Sequence, residues 1–540
     1  LSTLITVMVF GHWMEMKSVS SAQNAVNQLA KLLPDTAELQ ASGETKIIPV
    51  SELNLGDLVL IRPGAKIPAD CKVVEGNSTV NESMITGESE YVQKSPGSEI
   101  IAGTINGSGS LTAKVNRIGQ DTALAGIMRL VAEAQASKSK AQLLADRAAF
   151  YLTIVAVMAG IATVISWIAA GESVGFALQR TVTVLIIACP HALGLAIPLV
   201  VAISTSLAAR NGLLVRQRMA LESARNIDVV LFDKTGTLTK GERGVTDIWT
   251  EGASEIDVLS AAGSAENKSE HVVARAIVNF AKERGAALRD VKDFAAIPGQ
   301  GVRAMVDGEQ VFAGGPNLLA ANNFEISDGM AAKAEQASNQ GKTAVYIMIK
   351  NKVVGILALA DLVREESKQA VRGLQAQNIR VAMITGDSRK VAEYVAAELG
   401  IKEVFAEVLP GNKADKVKEL QNDGSKVAMV GDGVNDAPAL TQADIGIAIG
   451  AGTDVAIESA GIILAKNDPR DVLKVIKLSK ASYSKMRQNL FWAAGYNIVA
   501  IPLASGLFGF ILDPAIGALL MSASTIVVAL NAQLLRRLRL

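Results

Sequence analysis

Four long apolar segments, paired on either side of a polar stretch, restrict this chain to architectures anchored in a lipid bilayer. They run over 148–170, 177–205, 489–510 and 514–535, each near the roughly 20 residues an α-helix needs to cross the hydrocarbon core. Gly171-Glu172-Ser173 separates the first two and Leu512-Asp513-Pro514 the last two, so each pair predicts a helical hairpin. Cations flank the open ends: Lys138, Lys140 and Arg147 before the first hairpin, and Arg210 and Arg216 after it. Lys480, Lys485 and Arg487 precede the second, and Arg536, Arg537 and Arg539 follow it. The positive-inside rule puts these ends in the cytoplasm, together with the polar lobes 17–146 and 206–486. Leu1–Phe10 is also apolar, about half a span in length. It lacks the charged start and small-residue cleavage site of a signal peptide. The expectation is a sequence that opens inside a helix and is truncated at its N-terminus, with 1–16 a partial transmembrane helix.

A chain of 540 residues that is 49% hydrophobic yet 20% charged suits soluble lobes joined to membrane spans. Its 53 Lys and Arg balance 53 Asp and Glu, so nothing points to nucleic acid. Cys71 and Cys189 are far apart, which argues against a disulfide framework. Cys71, in Pro68-Ala69-Asp70-Cys71, is expected in a turn with a structural role. The first lobe alternates short Val/Ile runs with the turn signals Pro63-Gly64, Pro96-Gly97 and Asn106-Gly107, predicting a mainly β domain. The second alternates strands and helices around an insertion near 242–355.

Three strand-like apolar runs in the second lobe each lead to an aspartate. Val229–Phe232 precedes Asp233, Val381–Ile384 precedes Thr385-Gly386-Asp387, and Lys426–Val430 precedes Gly431-Asp432. Parallel strands with helical crossovers would gather all three carboxylates at one sheet edge. Carboxylates there can hold Mg²⁺, a hard cation that takes few protein oxygens and keeps room for phosphate. Thr235-Gly236-Thr237 adds hydroxyls and a permissive backbone beside Asp233.

Asp233-Lys-Thr-Gly-Thr237, Thr385-Gly-Asp387 and Gly431-Asp-Gly-Val-Asn-Asp436, in this order and spacing, resemble the phosphorylation motifs of P-type cation-transporting ATPases. The resemblance implies that Asp233 attacks the γ-phosphate of ATP and becomes an aspartyl phosphate. Lys234 and Lys413 would stabilise the transferring charge. Asp233, Asp432 and the Thr235 carbonyl would ligate Mg²⁺, with Asn435 and Asp436 completing the site. Thr385, Gly386 and Asp387 would position the phosphate. Thr86-Gly87-Glu88-Ser89 is similar to the family's dephosphorylation loop, and makes Glu88 the candidate base that activates water. Glu266, His271, Gly299, Gly301 and Gly314 resemble the nucleotide pocket of the heavy-metal members. Val272 stands where that subgroup usually has Pro, and Gly314-Gly315 where copper members often carry Gly-Asn.

Cys189-Pro190-His191 lies inside the second apolar segment. Proline there removes a helical hydrogen bond and frees a carbonyl, and such unwound points are where transporters build ion sites. A thiol and an imidazole at membrane depth are costly unless they are used. The triplet resembles the CPH motif of heavy-metal (type IB) ATPases. Tyr496-Asn497 and Met521 to Ser524 are similar to the membrane signature of the copper-exporting subgroup. Sulfur and imidazole donors favour a soft or borderline ion, leaving Cu⁺, Cu²⁺ and Ag⁺ open. His12, Met14 and Met16 are further donors near the entry, with helix-end packing the favoured explanation for them.

The expected fold is a multidomain membrane protein. An α-helical bundle (hairpins 147–205 and 487–540) carries a β-rich actuator domain (17–146), an α/β haloacid-dehalogenase-like phosphorylation domain (206–241 and 356–486) and an inserted α+β nucleotide-binding domain (242–355). The expected function is ATP-driven copper export by a multi-pass protein of a bacterial or archaeal plasma membrane, with lipid as its surroundings and a soluble chaperone as candidate copper donor. The competing readings are a zinc/cadmium-type pump, a soluble phosphatase of haloacid-dehalogenase type, and a transport-deficient sensor or fragment that keeps only the soluble chemistry.

Overall fold

The computed structural model describes residues 33–41, 44–82, 91–136, 140–322, 324–432, 434–450, 458–509 and 511–540, together with 5, 6, 9, 10, 12, 13 and 16. Thr86–Ser89, and with them Glu88, lie outside the described residues, as does Met14.

The first lobe is mainly β, as its alternating pattern predicts. An antiparallel six-stranded sheet runs in the order Glu44–Pro49, Thr36–Ala41, Leu58–Ile61, Leu111–Arg117, Asp70–Glu75 and Glu99–Ile100, beside a three-stranded sheet around Ser78–Asn81. In Leu111–Arg117, Leu111, Ala113 and Val115 are buried while Lys114 and Asn116 are exposed, the two-residue period of a half-buried strand. Those side chains pack with Val59, Ile61 and Val73. Cys71 is not in a turn: it lies within the strand Asp70–Glu75, paired with Val115 and Ile100. Burial pushes its thiol up to about 12, which suits an inert core group.

The second lobe holds a seven-stranded sheet. Its central strand, Val229–Asp233, is flanked in parallel by Arg380–Ile384 and Val427–Gly431. All five residues of Val229–Asp233 and of Val427–Gly431 are buried, as apolar runs in a parallel sheet covered on both faces should be. Between Asp233 and this sheet's next strand, the chain builds a separate antiparallel sheet. It has six strands, from Thr239–Thr250 to Lys352–Val363 in sequence, and reaches past 242–355 at both ends.

Five longer helices form the apolar bundle: Lys140–Ala169, Val174–Ile187, Pro198–Arg210, Asp471–Ser505 and Pro514–Gln533. Three stretches among the described residues, Ala141–Ala169, Val174–Arg210 and Pro514–Arg537, are long and apolar enough to cross a membrane. The segment 489–510, expected to be a fourth span, falls short of that description. Its helix, Asp471–Ser505, starts in the charged stretch Asp471–Gln488, and Asn489 and Asn497 are buried between helices. This helix also stops at Ser505, before the expected turn, because Gly506 takes a left-handed φ of 82°. Trp167 Nε1 donates to the Ser505 carbonyl at 2.7 Å, fixing that end against the first hairpin. Arg180, fully buried, joins the hairpins a second time by donating from Nη1 to the Leu512 carbonyl at 2.6 Å.

Candidate functional site

The parallel register brings three strand ends to one edge. Asp233 closes its strand, Thr385 follows Ile384 on one side, and Asp432 follows Gly431 on the other. Carboxylate oxygens of Asp233, Asp432 and Asp436 lie within 4.8 Å of one another, the one such three-residue metal-ligating group among the described residues. Lys413 Nζ reaches between two of them, 2.6 Å from Asp233 Oδ1 and 2.6 Å from Asp436 Oδ1. Burial, reinforced by Asp436 and opposed by Lys413, pushes the Asp233 carboxyl up to about 7. Burial and Asp436 also raise Asp432.

Burial is the first cause of both shifts, and the neighbouring Asp436 carboxylate adds to it. A hard divalent cation fits the all-oxygen donor set that Asp233, Asp432 and Asp436 bring within 4.8 Å, so these residues suit Mg²⁺.

The loop after Asp233 is shaped for close approach. Asp233 Oδ2 accepts from the Thr235 amide at 3.0 Å, and Gly236 has φ 74°. A Cβ on Gly236 would stand 1.7 Å from Asp432 Oδ2, and one on Gly431 would stand 2.4 Å from Asp436 Oδ2. Thr235 is exposed beside the carboxylates, whereas Thr237 is fully buried with its hydroxyl unpartnered. Asn435 is exposed at the same edge.

Lys234, expected to stabilise the transferring charge, is fully buried next to Asp233. Its buried ammonium pairs with Asp361 and, at 2.7 Å, with Asp387 Oδ2. Burial works against its charge, but those two carboxylates outweigh it and hold Lys234 above the usual lysine value. Asp387 is set in turn by Thr385, whose hydroxyl donates to Asp387 Oδ2 at 3.0 Å and accepts from the Asp387 amide at 3.1 Å. Gly386 has open space around it, with Val408 O at 3.5 Å from an added Cβ.

Asp361 and Arg364 are site residues that the sequence reading missed. Arg364 donates to the carbonyls of Thr239 and Gly236 at 3.1 and 3.4 Å, bracing the loop that follows Asp233. The signal was present: Val353–Ala360 is an apolar run ending in Asp361, the same strand-then-aspartate pattern as the other three.

In the inserted domain, Glu266 closes the helix Glu255–Glu266 and is buried. Burial pushes its carboxyl up to about 7 against a hydrogen bond with Ser269. That helix packs on the strands Gly301–Val306 and Glu309–Gly314, so Glu266 belongs to the same unit as the glycines. Gly301 and Gly314 pair across the two strands. A Cβ on Gly301 would lie 2.2 Å from the Ala313 carbonyl, and one on Gly314 would lie 2.3 Å from that of Gln300. Gly299 turns the chain at φ 71°. His271 caps the helix Val272–Glu283, its Nδ1 accepting from the Val273 amide at 3.3 Å. That leaves Nε2 as its outward-facing nitrogen for any further partner.

In the bundle, the helix from Val174 ends at Ile187 and a short one restarts at His191, with Pro190 at the break. Cys189 is exposed and His191 half-buried. The restarted helix packs against both Asp471–Ser505 and Pro514–Gln533, which bring Tyr496, Asn497, Met521 and Ser524 to the same region. The Tyr496 hydroxyl donates to the Ile187 carbonyl at 2.8 Å, bridging to the break. Asn497 donates to the Ala493 carbonyl at 3.2 Å, leaving its buried Oδ1 unpartnered, like Ser524 Oγ. Met521 is buried.

Comparison with known proteins follows the same division. Residues 227–444 match the haloacid dehalogenase-like hydrolase family and 31–132 the P-type ATPase actuator domain. A copper-exporting P-type ATPase B from Archaeoglobus fulgidus is 52% identical over 99% of this chain and 77% of its own length. A probable copper-transporting P-type ATPase B from Staphylococcus aureus is 45% identical over 98% of this chain and 80% of its own length. Among solved structures, a zinc-transporting PIB-type ATPase in an E2.Pi state superposes with a TM-score of 0.65 at 31% identity, covering 99% of this chain and 87% of that one. Actuator fold, phosphorylation sheet and near full-length identity agree, and the chain belongs to the P-type ATPases of the heavy-metal (type IB) branch.

Proposed function

We propose that this protein exports copper ions across a membrane, driven by ATP through a phosphorylated Asp233. One observation carries the reading. The Cys189-Pro190-His191 break, between helices bearing Tyr496-Asn497 and Met521, belongs to the same chain as a buried carboxylate edge built for phosphoryl transfer. An Asp233 oxygen forms a bond to the γ-phosphorus while the bond to the ADP oxygen breaks, giving an acyl phosphate and ADP. Lys413 balances charge on Asp233 and Asp436. Lys234 holds Asp387, and with it the Thr385 turn, where the phosphate oxygens would rest. Mg²⁺, when bound by Asp233, Asp432 and Asp436 with the Thr235 carbonyl, would supply Lewis-acid neutralisation of phosphate charge. Glu88 is the proposed base for hydrolysis of the acyl phosphate. Glu266, His271, Gly299, Gly301 and Gly314 are the proposed nucleotide contacts.

Thiol, imidazole and thioether donors support copper or silver over zinc, as does the higher identity to the copper-named relatives. The basic residues at the helix ends support soluble lobes in the cytoplasm, in a bacterial or archaeal plasma membrane. Membrane lipid and a copper-delivering chaperone are its proposed partners. ATPase activity compared with Cu⁺, Ag⁺, Cu²⁺ and Zn²⁺ tests the reading: stimulation by copper or silver is expected, and stimulation by zinc alone overturns it. Asp233→Asn should abolish the acid-stable phosphoenzyme.

A further inference from the structure

The sequence contains only three histidines. One of them, His271, caps a helix in the inserted domain. The other two, separated by most of the first lobe and the first hairpin, come together in the bundle with ring centroids 6.0 Å apart and planes tilted by 51°. Helix-end packing is the favoured reading of His12 from sequence alone, and its pairing with His191 adds a second donor to that end. His12 is exposed and His191 half-buried. His191 opens the helix after the Pro190 break, two residues from the exposed Cys189, and the His12 ring meets it there.

We propose that His12 and His191 form a two-imidazole station for the transported ion, a hand-over point adjacent to Cys189. An ion about 2.0 Å from one nitrogen of each ring would keep the two centroids roughly 5–6.5 Å apart, the wider end corresponding to near-linear coordination. The observed 6.0 Å lies in that window, and near-linear two-donor binding suits Cu⁺ and Ag⁺. The thiol does not join the imidazoles in a compact three-donor cluster, since the carboxylate trio is the one such group among the described residues. The ion is therefore shared between the two rings and passed to or from sulfur, rather than caged by all three donors at once.

The inference rests on the copper-export reading, and the test separates the two. The full chain in lipid nanodiscs is loaded with Cu⁺ and its imidazole ligands are counted by X-ray absorption. The wild type should show two, and His12→Ala or His191→Ala one each. The copper concentration for half-maximal ATPase should rise at least about tenfold in His12→Ala. Phosphorylation by inorganic phosphate, a step that needs no copper, reports whether each variant is folded; His12→Gln replaces His12→Ala if the latter is not. Copper bound with sulfur and a single imidazole in the wild type, or a His12→Ala spectrum identical to it, overturns the station and leaves copper export standing. A wild type that binds no copper overturns both.

Discussion

Lys413 and Asp233 form a buried ion pair at 2.6 Å, and the same ammonium also holds Asp436. One cation thus sits among three carboxylates, two of which burial raises above their ordinary range. Replacing it with Met should lower the rate of phosphoenzyme formation by about 10²–10³, the usual cost of removing one charge-stabilising donor. Lys413→Arg should recover part of the loss. Rapid acid quench with labelled ATP reads the rate, and a drop below about threefold would contradict the assigned role.

Gly236 is required twice over, by its φ of 74° and by the 1.7 Å approach of Asp432 Oδ2 to an added Cβ. Gly236→Ala should push Asp432 away from the carboxylate edge, on top of about 1–2 kcal/mol of backbone strain. The concentration of Mg²⁺ for half-maximal ATPase should rise severalfold. Gly386→Ala, where the nearest atom to a Cβ is 3.5 Å away, should be far milder in the same assay.

Asp361 shares Lys234 with Asp387. Asp361→Asn removes a charged hydrogen-bond partner from a buried lysine, with an expected cost of about 1.5–3 kcal/mol. Hydrogen exchange in the full chain should show faster opening around 234–239 and 359–364. Unaltered protection there would mean that Asp387 alone suffices.

Glu266 is protonated more readily in the folded protein, its carboxyl raised from 4.5 to about 7. The sign follows from linkage: the folded state holds the extra proton, so the contribution is complete below about 4.5 and fades as pH rises through about 7. After correction for intrinsic rates, the amides of 255–266 should lose protection between pH 5 and 8. Glu266→Gln, which cannot titrate, should flatten that dependence.

The carboxylate edge was legible because parallel strands write themselves as apolar runs, and the residue after each run must fall at the same sheet edge. Val229–Phe232, Val381–Ile384 and Lys426–Val430 give their neighbours away in this manner. The direction of a long side chain is not written there. Lys234 is next to Asp233 in sequence yet points to Asp361, whose strand belongs to another sheet. The meeting of His12 with His191 was likewise invisible, since it depends on helix packing across most of two domains. The end of the third long helix was also out of reach, because Gly506 stops it seven residues before Asp513.

The helix Asp471–Ser505 runs for 35 residues without interruption. At about 1.5 Å of rise per residue it spans roughly 52 Å, and Asn497 lies about 39 Å from its first turn. Its start is buried against the phosphorylation sheet, with Val472, Val475 and Ile476 in that sheet's core. Its far half carries Tyr496 and Asn497 to the Pro190 break. A tilt of only 5° about the sheet end would sweep Asn497 through about 3 Å, given that rise, more than an ion–ligand bond length. A mechanical lever of this kind needs no relay of rearranging side chains. The phosphorylation sheet and the Pro190 break are thus joined by opposite ends of one continuous helix.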